Sequence, residues 1–461
     1  MDPRNEHRPR AVLVGVLVPG RAPEDLDASL DELGRLCDTL ALEPVGRVIQ
    51  RRSGTGSASL LGEGKLVELA QWTGGSGQVE RGPRKKKVEA AEDEEEDSGP
   101  VEAVELPSAP LRAGRRADVV VVDHELSPSQ LRNLKSAAGV EVLDRNGVII
   151  EIFHERARSR EARLQVELAR LAYLAPRLRE LGGPSERQRG GIGGKGSGES
   201  DLELDRRKIR DRMAEIRREL AGIEDNRGVL RQRRRDVRQV ALVGYTNAGK
   251  SSLMRVLTGA EPYVADQLFA TLDTTIRRLS PEVSPPVLIS DTVGFIKDLP
   301  HSLVASFRST LDAALESSLL LHVVDATDPS WPAQEQVTAQ VLADIGAAEI
   351  PRVLLFNKCD RLAPELEQAL LDQRPGAWTT SAHDPARVAV LHQAIVDAFA
   401  RRDPEVELFV PWARASAMGG MRAQAEVLSE VFEDEGVRYR LRAPASVVDR
   451  LRAAVVGGEQ R

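Results

Sequence analysis

Val240-Ala241-Leu242-Val243-Gly244-Tyr245-Thr246-Asn247-Ala248-Gly249-Lys250-Ser251-Ser252-Leu253 decides the fold of the segment from about 237 to 402. Four apolar residues predict a buried strand, and the run from Ser252 to Leu257 predicts a helix after it. Between them the chain spells G-x-x-x-x-G-K-S, whose glycines let backbone N–H groups turn toward phosphate. In that frame Lys250 reaches the β and γ phosphates and Ser251 offers its hydroxyl to Mg2+. Gly244, Tyr245, Thr246, Asn247, Ala248, Gly249 and Ser252 complete the phosphate-binding set.

Three further elements follow in the order a nucleotide switch requires. Asp291-Thr292-Val293-Gly294 comes after the strand-like residues 287–290 and lies 41 residues beyond Lys250. Its carboxylate is expected to hold Mg2+ through water, and the Gly294 N–H to meet the γ-phosphate. Asn357-Lys358-Cys359-Asp360, after the strand-like 353–356, chooses the base. Guanine presents N1–H and an exocyclic amine, so the acceptor-only carboxylate of Asp360 prefers it to adenine. Lys358 is expected over the ring, and Asn357 is expected to tie this loop to the phosphate loop. Ser381-Ala382, after 377–380, is placed to give a backbone donor to the guanine O6.

The mobile metal ligand is sought in Phe269-Ala270-Thr271-Leu272-Asp273-Thr274-Thr275. Thr271 is chosen, with Thr274 and Thr275 as alternatives, because a threonine hydroxyl can ligate Mg2+ while its N–H reads the γ-phosphate. The sequence therefore predicts GTP or GDP with Mg2+ held by Ser251, Thr271 and Asp291, and hydrolysis supported by Lys250, Thr271 and Gly294. Asn247 is a candidate to bind K+ beside the nucleotide. Phe295 stands where small GTPases place a water-orienting Gln, and an apolar ring cannot orient water. Slow intrinsic hydrolysis and a partner that completes the site follow from that. Arg277 and Arg278 are read as surface residues, with charge stabilisation in cis as the alternative.

Working outward, 461 residues predict about three domains. A hydrophobic share of 41% with 29% charged residues excludes a wholly disordered chain, and 3% aromatics makes base stacking a poor first guess. Only Cys37 and Cys359 occur, so neither a disulfide framework nor a four-thiolate zinc site can form in one chain. No apolar stretch approaches the roughly 18 residues of a spanning helix. A cytoplasmic protein without a membrane span is expected, with partial membrane association left open.

Residues 1–153 predict an N-terminal α/β domain, with strands at 11–18, 45–49 and 119–122 and helices at 26–40 and 62–72. Ser127-Pro128-Ser129-Gln130 opens a further helix as a capping box, and 140–143 and 148–153 close the unit. Residues 74–114, with Arg84-Lys85-Lys86-Lys87 and an acidic run from Glu92 to Asp97, predict a disordered insertion. Residues 154–236 carry two leucine and isoleucine stripes. Leu164, Leu168, Leu171, Leu174, Leu178 and Leu181 form one; Ile209, Met213, Ile216, Leu220 and Ile223 form the other. They predict an antiparallel helical hairpin whose Gly-rich tip is Gly190-Gly191-Ile192-Gly193-Gly194-Lys195-Gly196-Ser197-Gly198-Glu199. Residues 155–238 hold 23 Lys/Arg against 15 Asp/Glu in a chain of net charge −7, so this segment is suited to an acidic partner such as RNA. Residues 403–461 read as a small C-terminal α/β domain.

These strings resemble the HflX family of translational GTPases. The likeness is carried by the run from Asp123 through Leu134, by Arg160-Glu161-Ala162-Arg163-Leu164-Gln165-Val166-Glu167-Leu168-Ala169, by the Gly-rich tip, and by the Phe269 and Asp291 strings. It covers nearly the whole chain apart from the insertion. It implies a P-loop GTPase domain behind an N-terminal domain with a helical hairpin, and binding to the large (50S) ribosomal subunit and its rRNA. It also implies GTP hydrolysis stimulated by the ribosome, in the splitting or rescue of stalled ribosomes. ATP binding through the N-terminal part is a further family property, for which the Gly-rich tip lacks a strand–loop–helix setting. The family's tip reads Gly-Gly-x-Gly-x-Arg-Gly-Pro-Gly-Glu-Thr, whereas Lys195, Ser197 and Ser200 replace the Arg, Pro and Thr here. Lys195 keeps the charge but loses the planar fork. A monomer is expected. A GTP-timed ribosome-assembly or RNA-remodelling factor and a protein-partnered signalling GTPase are the competing readings.

Overall fold

A computed structural model describes residues 8–58, 60–79, 116–181, 201–234, 237–259, 268–269, 271–272, 274–297, 313–415, 418–419, 421 and 424–456. The chain divides into two compact units, Met1–Glu155 with Ala169–Met213, and Arg156–Leu168 with Ala214–Arg461.

In the first unit β1 (Arg10–Leu17), β2 (Glu43–Arg51), β3 (Val119–Val122) and β4 (Glu141–Asp144) form a fully parallel sheet in the order β2-β1-β3-β4. Unbroken apolar runs such as Val119–Val122 suit strands covered on both faces. The covering helices are α1 (Pro23–Thr39), α2 (Glu63–Thr73), α3 (Pro128–Ala138) and α4 (Arg145–Arg156). The capping box of α3 forms as read: Ser127 Oγ accepts from the Gln130 N–H, and Gln130 Oε1 from the Ser127 N–H. Residues 148–153 lie inside α4, which is buried from Arg145 to Ile150 and again at Ile152 and Phe153. With Val148, Ile149, Ile150, Ile152 and Phe153 all buried, the apolar run shows no helical period in the sequence.

The first residues of the expected insertion are packed. Gly74 ends α2 at φ 82°. Gly75 lies so close to α3 that a Cβ there would sit 2.3 Å from the Ala137 carbonyl oxygen. The Gly77 N–H donates to that same carbonyl at 3.0 Å. These glycines are demanded by close backbone approach, and residues 80–114 lie outside the described residues.

The two long helices, α5 (Arg160–Leu181) and α6 (Asp201–Arg234), are each divided between the units. Arg160 near the start of α5 pairs with Glu219 of α6. The α6 stripe behaves as read, with Ile216 buried and Ile209, Met213, Leu220 and Ile223 half-buried between exposed neighbours. In the α5 stripe Leu164 is buried, Leu168 and Leu171 are half-buried and Leu174 is exposed, with Ala162, Gln165, Val166 and Ala169 buried beside it; the side chains of Leu178 and Leu181 lie outside the described residues. The Gly190 to Gly198 tip lies outside the described residues.

In the second unit the main sheet runs β10-β9-β8-β5-β7-β6. Its strands are β5 (Arg238–Gly244), β6 (Thr275–Arg278), β7 (Val287–Asp291), β8 (Leu319–Asp325), β9 (Arg352–Asn357) and β10 (Trp378–Thr379). All neighbours are parallel except β6 with β7. The helices are α7 (Lys250–Thr258), α8 (Trp331–Asp344), α9 (Pro364–Gln373) and α10 (Pro385–Arg402). Strand order reverses about β5, which has β8 on one side and β7 on the other. In open α/β sheets a ligand crevice lies outside the carboxyl ends of strands at such a point. A three-stranded antiparallel sheet, β11 (Glu405–Pro411), β13 (Gly436–Arg442) and β12 (Glu426–Glu433), follows with α11 (Ala445–Val456) and its own core around Val437, Tyr439 and Leu441.

Candidate nucleotide site

The phosphate loop leaves the end of β5 and enters α7 through two glycines whose places admit nothing larger. A Cβ on Gly244 would lie 2.2 Å from the Val323 carbonyl oxygen, and one on Gly249 would lie 2.2 Å from Asn357 Nδ2. Gly249 also sits at φ 92°, the left-handed region that favours glycine. Asn247 takes φ 61° and is exposed, while Thr246 and Ala248 are buried and Ser251 and Ser252 half-buried.

Lys250 is buried and donates to the carbonyls of Gly244 at 3.1 Å and Tyr245 at 2.8 Å. Burial pushes its ammonium down to about 8, opposed by the Asp291 carboxylate. Among the described residues its hydrogen bonds go only to carbonyls, and a buried cation so held is one that an anionic ligand would stabilise strongly.

Three oxygens meet beside it. Ser251 Oγ lies 2.6 Å from Thr271 Oγ1 and donates to Asp291 Oδ2 at 2.7 Å, and Thr271 Oγ1 reaches the same carboxylate oxygen at 3.1 Å. Burial pushes the Asp291 carboxyl up, while Lys250 and the two hydroxyls pull it back. Its second oxygen, Oδ1, is buried without a hydrogen-bond partner among the described residues. Hard oxygen donors around one carboxylate with an acceptor left over suit a small divalent cation such as Mg2+. Thr271 is thus brought to the cluster, whereas Thr275 enters β6 opposite Asp291 in the ladder. Leu272 and Phe269 are buried nearby in sequence; Ala270 lies outside the described residues.

Thr292, Val293 and Gly294 are buried, and Thr292 Oγ1 anchors the strand end on the Leu242 carbonyl at 2.8 Å. A Cβ on Gly294 would lie 3.0 Å from Lys250 Nζ, so this residue stands directly over the lysine. Phe295 does not face that space. Its ring is buried in the core with Ala241, Val243, Leu320 and Leu342. The water-orienting position is therefore empty of any side chain from residue 295, a stronger departure than an apolar ring at the site. Arg277 and Arg278 are exposed on β6, and Arg278 pairs with Glu282, which fits the surface reading.

The base-reading loops converge from β9 and β10. Asn357 Nδ2 donates to the Ala248 carbonyl at 2.9 Å, tying the two loops as expected. Lys358 takes φ 64° and its ammonium meets Asp325 Oδ2 at 2.6 Å. Asp360 is exposed and accepts from Ser381 Oγ at 2.5 Å. Cys359 is buried, its N–H donating to the Thr380 carbonyl, and burial pushes its thiol up to about 11, which argues against a reactive thiolate. Ala382 is half-buried beside Ser381.

Asp325 was missed in the sequence. Burial pushes its carboxyl up, but hydrogen bonds from Lys358 and Thr327 outweigh that and hold it below the usual range. The signal that could have found it is its place at the end of a buried strand neighbouring the one that delivers Asn357.

Family comparisons agree with this layout. The family described as 50S ribosome-binding GTPase matches residues 239–358. GTP-binding GTPase Middle Region matches residues 156–234, and GTP-binding GTPase N-terminal matches residues 99–154. A curated relative, GTPase HflX of Gluconacetobacter diazotrophicus, is 52% identical over 97% of this chain and 98% of its own. GTPase HflX of Caldanaerobacter subterraneus subsp. tengcongensis is 36% identical over 99% and 96%, and that of Escherichia coli 41% over 75% and 82%. Among solved structures, a GTP-binding protein from Sulfolobus solfataricus in complex with GDP aligns with 84% of this chain and 98% of its own at 20% identity and a TM-score of 0.41.

Proposed function

The chain belongs to the HflX family of GTPases, and from that premise we propose that it hydrolyses GTP on the large ribosomal subunit to split or rescue stalled ribosomes. The observation that carries the nucleotide part is the meeting of Ser251, Thr271 and Asp291 beside buried Lys250, with Asp291 Oδ1 without a hydrogen-bond partner among the described residues. Ser251 and Thr271 would hold Mg2+ directly and Asp291 through water; bound there, the ion supplies charge neutralisation on the phosphates.

The remaining work belongs to the chain's own groups. Backbone N–H groups from Asn247 to Ser252 cradle the phosphates, and Lys250 places its ammonium between the β and γ groups. The Gly294 N–H meets the γ-phosphate. Asp360, pinned by Ser381, accepts from guanine N1–H and the amine, and the Ala382 N–H donates to O6. Lys358, held by Asp325, covers the ring. Asn247, exposed at the loop's outer turn, is the side chain we assign to K+.

Two observations support the ribosomal part. The positive surplus of residues 155–238 suits rRNA, with the Gly190 to Gly198 tip as the leading contact. Phe295 buried in the core leaves that position without a water-orienting group, which a partner must then supply. The test is GTP turnover alone and with 50S, 30S or 70S particles at two salt concentrations. Strong stimulation by 50S-containing particles, weakened by salt, is expected. Unchanged turnover with every particle would move the weight to a protein-partnered GTPase. Deletion of the tip should abolish 50S binding and leave nucleotide affinity unchanged.

A further inference from the structure

The segment that follows Gly294 is zipped onto the phosphate loop by three hydrogen bonds. The Phe295 N–H donates to the Gly244 carbonyl at 3.1 Å, and the Thr246 N–H donates to the Phe295 carbonyl at 2.8 Å, forming a parallel bridge between residues 245 and 295. The third bond differs in kind: the Lys297 N–H donates to the phenolic oxygen of Tyr245 at 2.7 Å. Two rungs are backbone on both sides. The third depends on one hydroxyl.

This zipper fixes where Gly294 can be. The chain on its far side is clamped at residues 295 and 297, and on its near side Thr292 is anchored on Leu242. Between the clamps Gly294 is pressed so closely on the phosphate loop that a Cβ would meet Thr246 Cγ2 at 2.8 Å and Lys250 Nζ at 3.0 Å. Tyr245 is itself held, with 7% of its surface exposed, so its hydroxyl is a fixed acceptor. Its loop residue therefore spans from the phosphate cradle to the segment that reads the third phosphate.

We infer that Tyr245, whose backbone belongs to the phosphate loop, acts through its side chain as a positioning residue: its hydroxyl presets Gly294 for the γ-phosphate and so sets the preference for GTP over GDP. The inference rests on the proposed nucleotide reading, in which the Gly294 N–H meets the γ-phosphate. GDP has no group at that place, so loosening the tether should weaken GDP less than GTP. GTP must then order the segment at its own expense, and its affinity falls.

Tyr245→Phe removes the hydroxyl and keeps the ring. Binding of a fluorescent GDP and of a non-hydrolysable fluorescent GTP analogue is measured for wild type, Tyr245→Phe and Lys297→Pro, the last deleting the same bond from its donor side. In both variants the affinity for the GTP analogue should fall about tenfold more than the affinity for GDP, the weight of one well-placed hydrogen bond. In single-turnover hydrolysis the loss should fall on the GTP concentration needed for half-maximal rate more than on the rate itself. Equal losses for both nucleotides would mean that Tyr245 only supports the loop, and no loss in either variant would mean that the tether sets nothing; each result overturns the inference. Failure of the wild type to bind either guanine nucleotide would instead overturn the nucleotide reading, and the inference with it.

Discussion

Two buried carboxylates stand at the carboxyl ends of parallel strands, Asp144 on β4 and Asp291 on β7, and their surroundings are opposite. Asp144 is saturated: it accepts from Arg177 and Tyr173 at 2.7 Å each and from the N–H groups of Gly147 at 2.7 Å and Leu126 at 3.1 Å. Its neighbour Asp123 is closed by Arg145 and Arg21, and Arg145 also pairs with Glu32. Asp291 has hydroxyls on one oxygen and no partner on the other among the described residues. Both stand at carboxyl ends of parallel strands, the side on which α/β sheets bind ligands, although β4 is the edge strand of its sheet. What separates a structural cluster from a site is whether the fold supplies the counter-charge within hydrogen-bond reach. In the first unit arginines have taken the place a ligand could fill; in the second, one carboxylate oxygen is without a hydrogen-bond partner among the described residues.

The largest effect should come from Asp291→Asn, expected to lower GTP turnover about a thousandfold, or about 4 kcal/mol of transition-state stabilisation. Thermal unfolding of that variant should stay at or above the wild-type temperature, since a buried carboxylate lacking a full shell is itself a cost. The same change at Asp144 should do the reverse. It leaves the Arg177 guanidinium buried without its anion and should cost about 3 kcal/mol of stability, read as a lowered Tm, with turnover per folded molecule unchanged. If Asp144→Asn abolished turnover at unchanged Tm, the distinction between the two clusters would collapse.

A third buried group sharpens the comparison, because it has neither a counter-charge nor a ligand to await. His322 lies mid-strand on β8 between Val243 and Leu354, 1% exposed, with neither ring nitrogen hydrogen-bonded among the described residues. Burial, and then Arg352 and Lys250, push its pKa from 6.5 down to about 3. The folded state therefore refuses a proton that the unfolded chain accepts. Stability should be full above pH 6.5 and fall as pH drops toward 3, by about 2 kcal/mol between pH 7 and 5 from this residue. Denaturant unfolding at pH 7 and 5 should show that loss in the wild type and not in His322→Leu.

Much of the second unit was legible because its chemistry is written in contiguous strings. Lys250, Asp291, Asn357 and Asp360 each sit at the end of an apolar run, and a parallel sheet must bring such ends together. Thr271 was harder, because three threonines stand in one loop and only the fold shows which hydroxyl meets Asp291. Asp325 and the Tyr245 tether were invisible for a related reason: each acts on a residue distant in sequence, and no spacing rule joins them. The sequence did not say which kind of element 148–153 forms, since burial of Val148, Ile149, Ile150, Ile152 and Phe153 removes the polar contrast that would show a helical period. The arginine-closed network of the first unit left no trace at all. Asp123, Asp144, Arg145 and Arg177 are ordinary charged residues in a sequence, and only their burial makes them a cluster.

The smallest effect tests how completely that network is closed. Arg21 donates to Asp123 Oδ2 at 3.3 Å, a long bond from a side chain 18% exposed, while Arg145 reaches Oδ1 at 2.7 Å from full burial. If Arg145 supplies the essential charge, Arg21 adds only a partly solvated second contact. Arg21→Ala should then cost about 1 kcal/mol of stability and leave GTP turnover untouched. Water can reach the freed oxygen from the side Arg21 had covered, so no buried charge is stranded. A cost of 3 kcal/mol or more in denaturant unfolding would mean that Asp123 needs both cations. The network would then resemble the Asp291 cluster more closely, being one contact short of an open carboxylate rather than saturated.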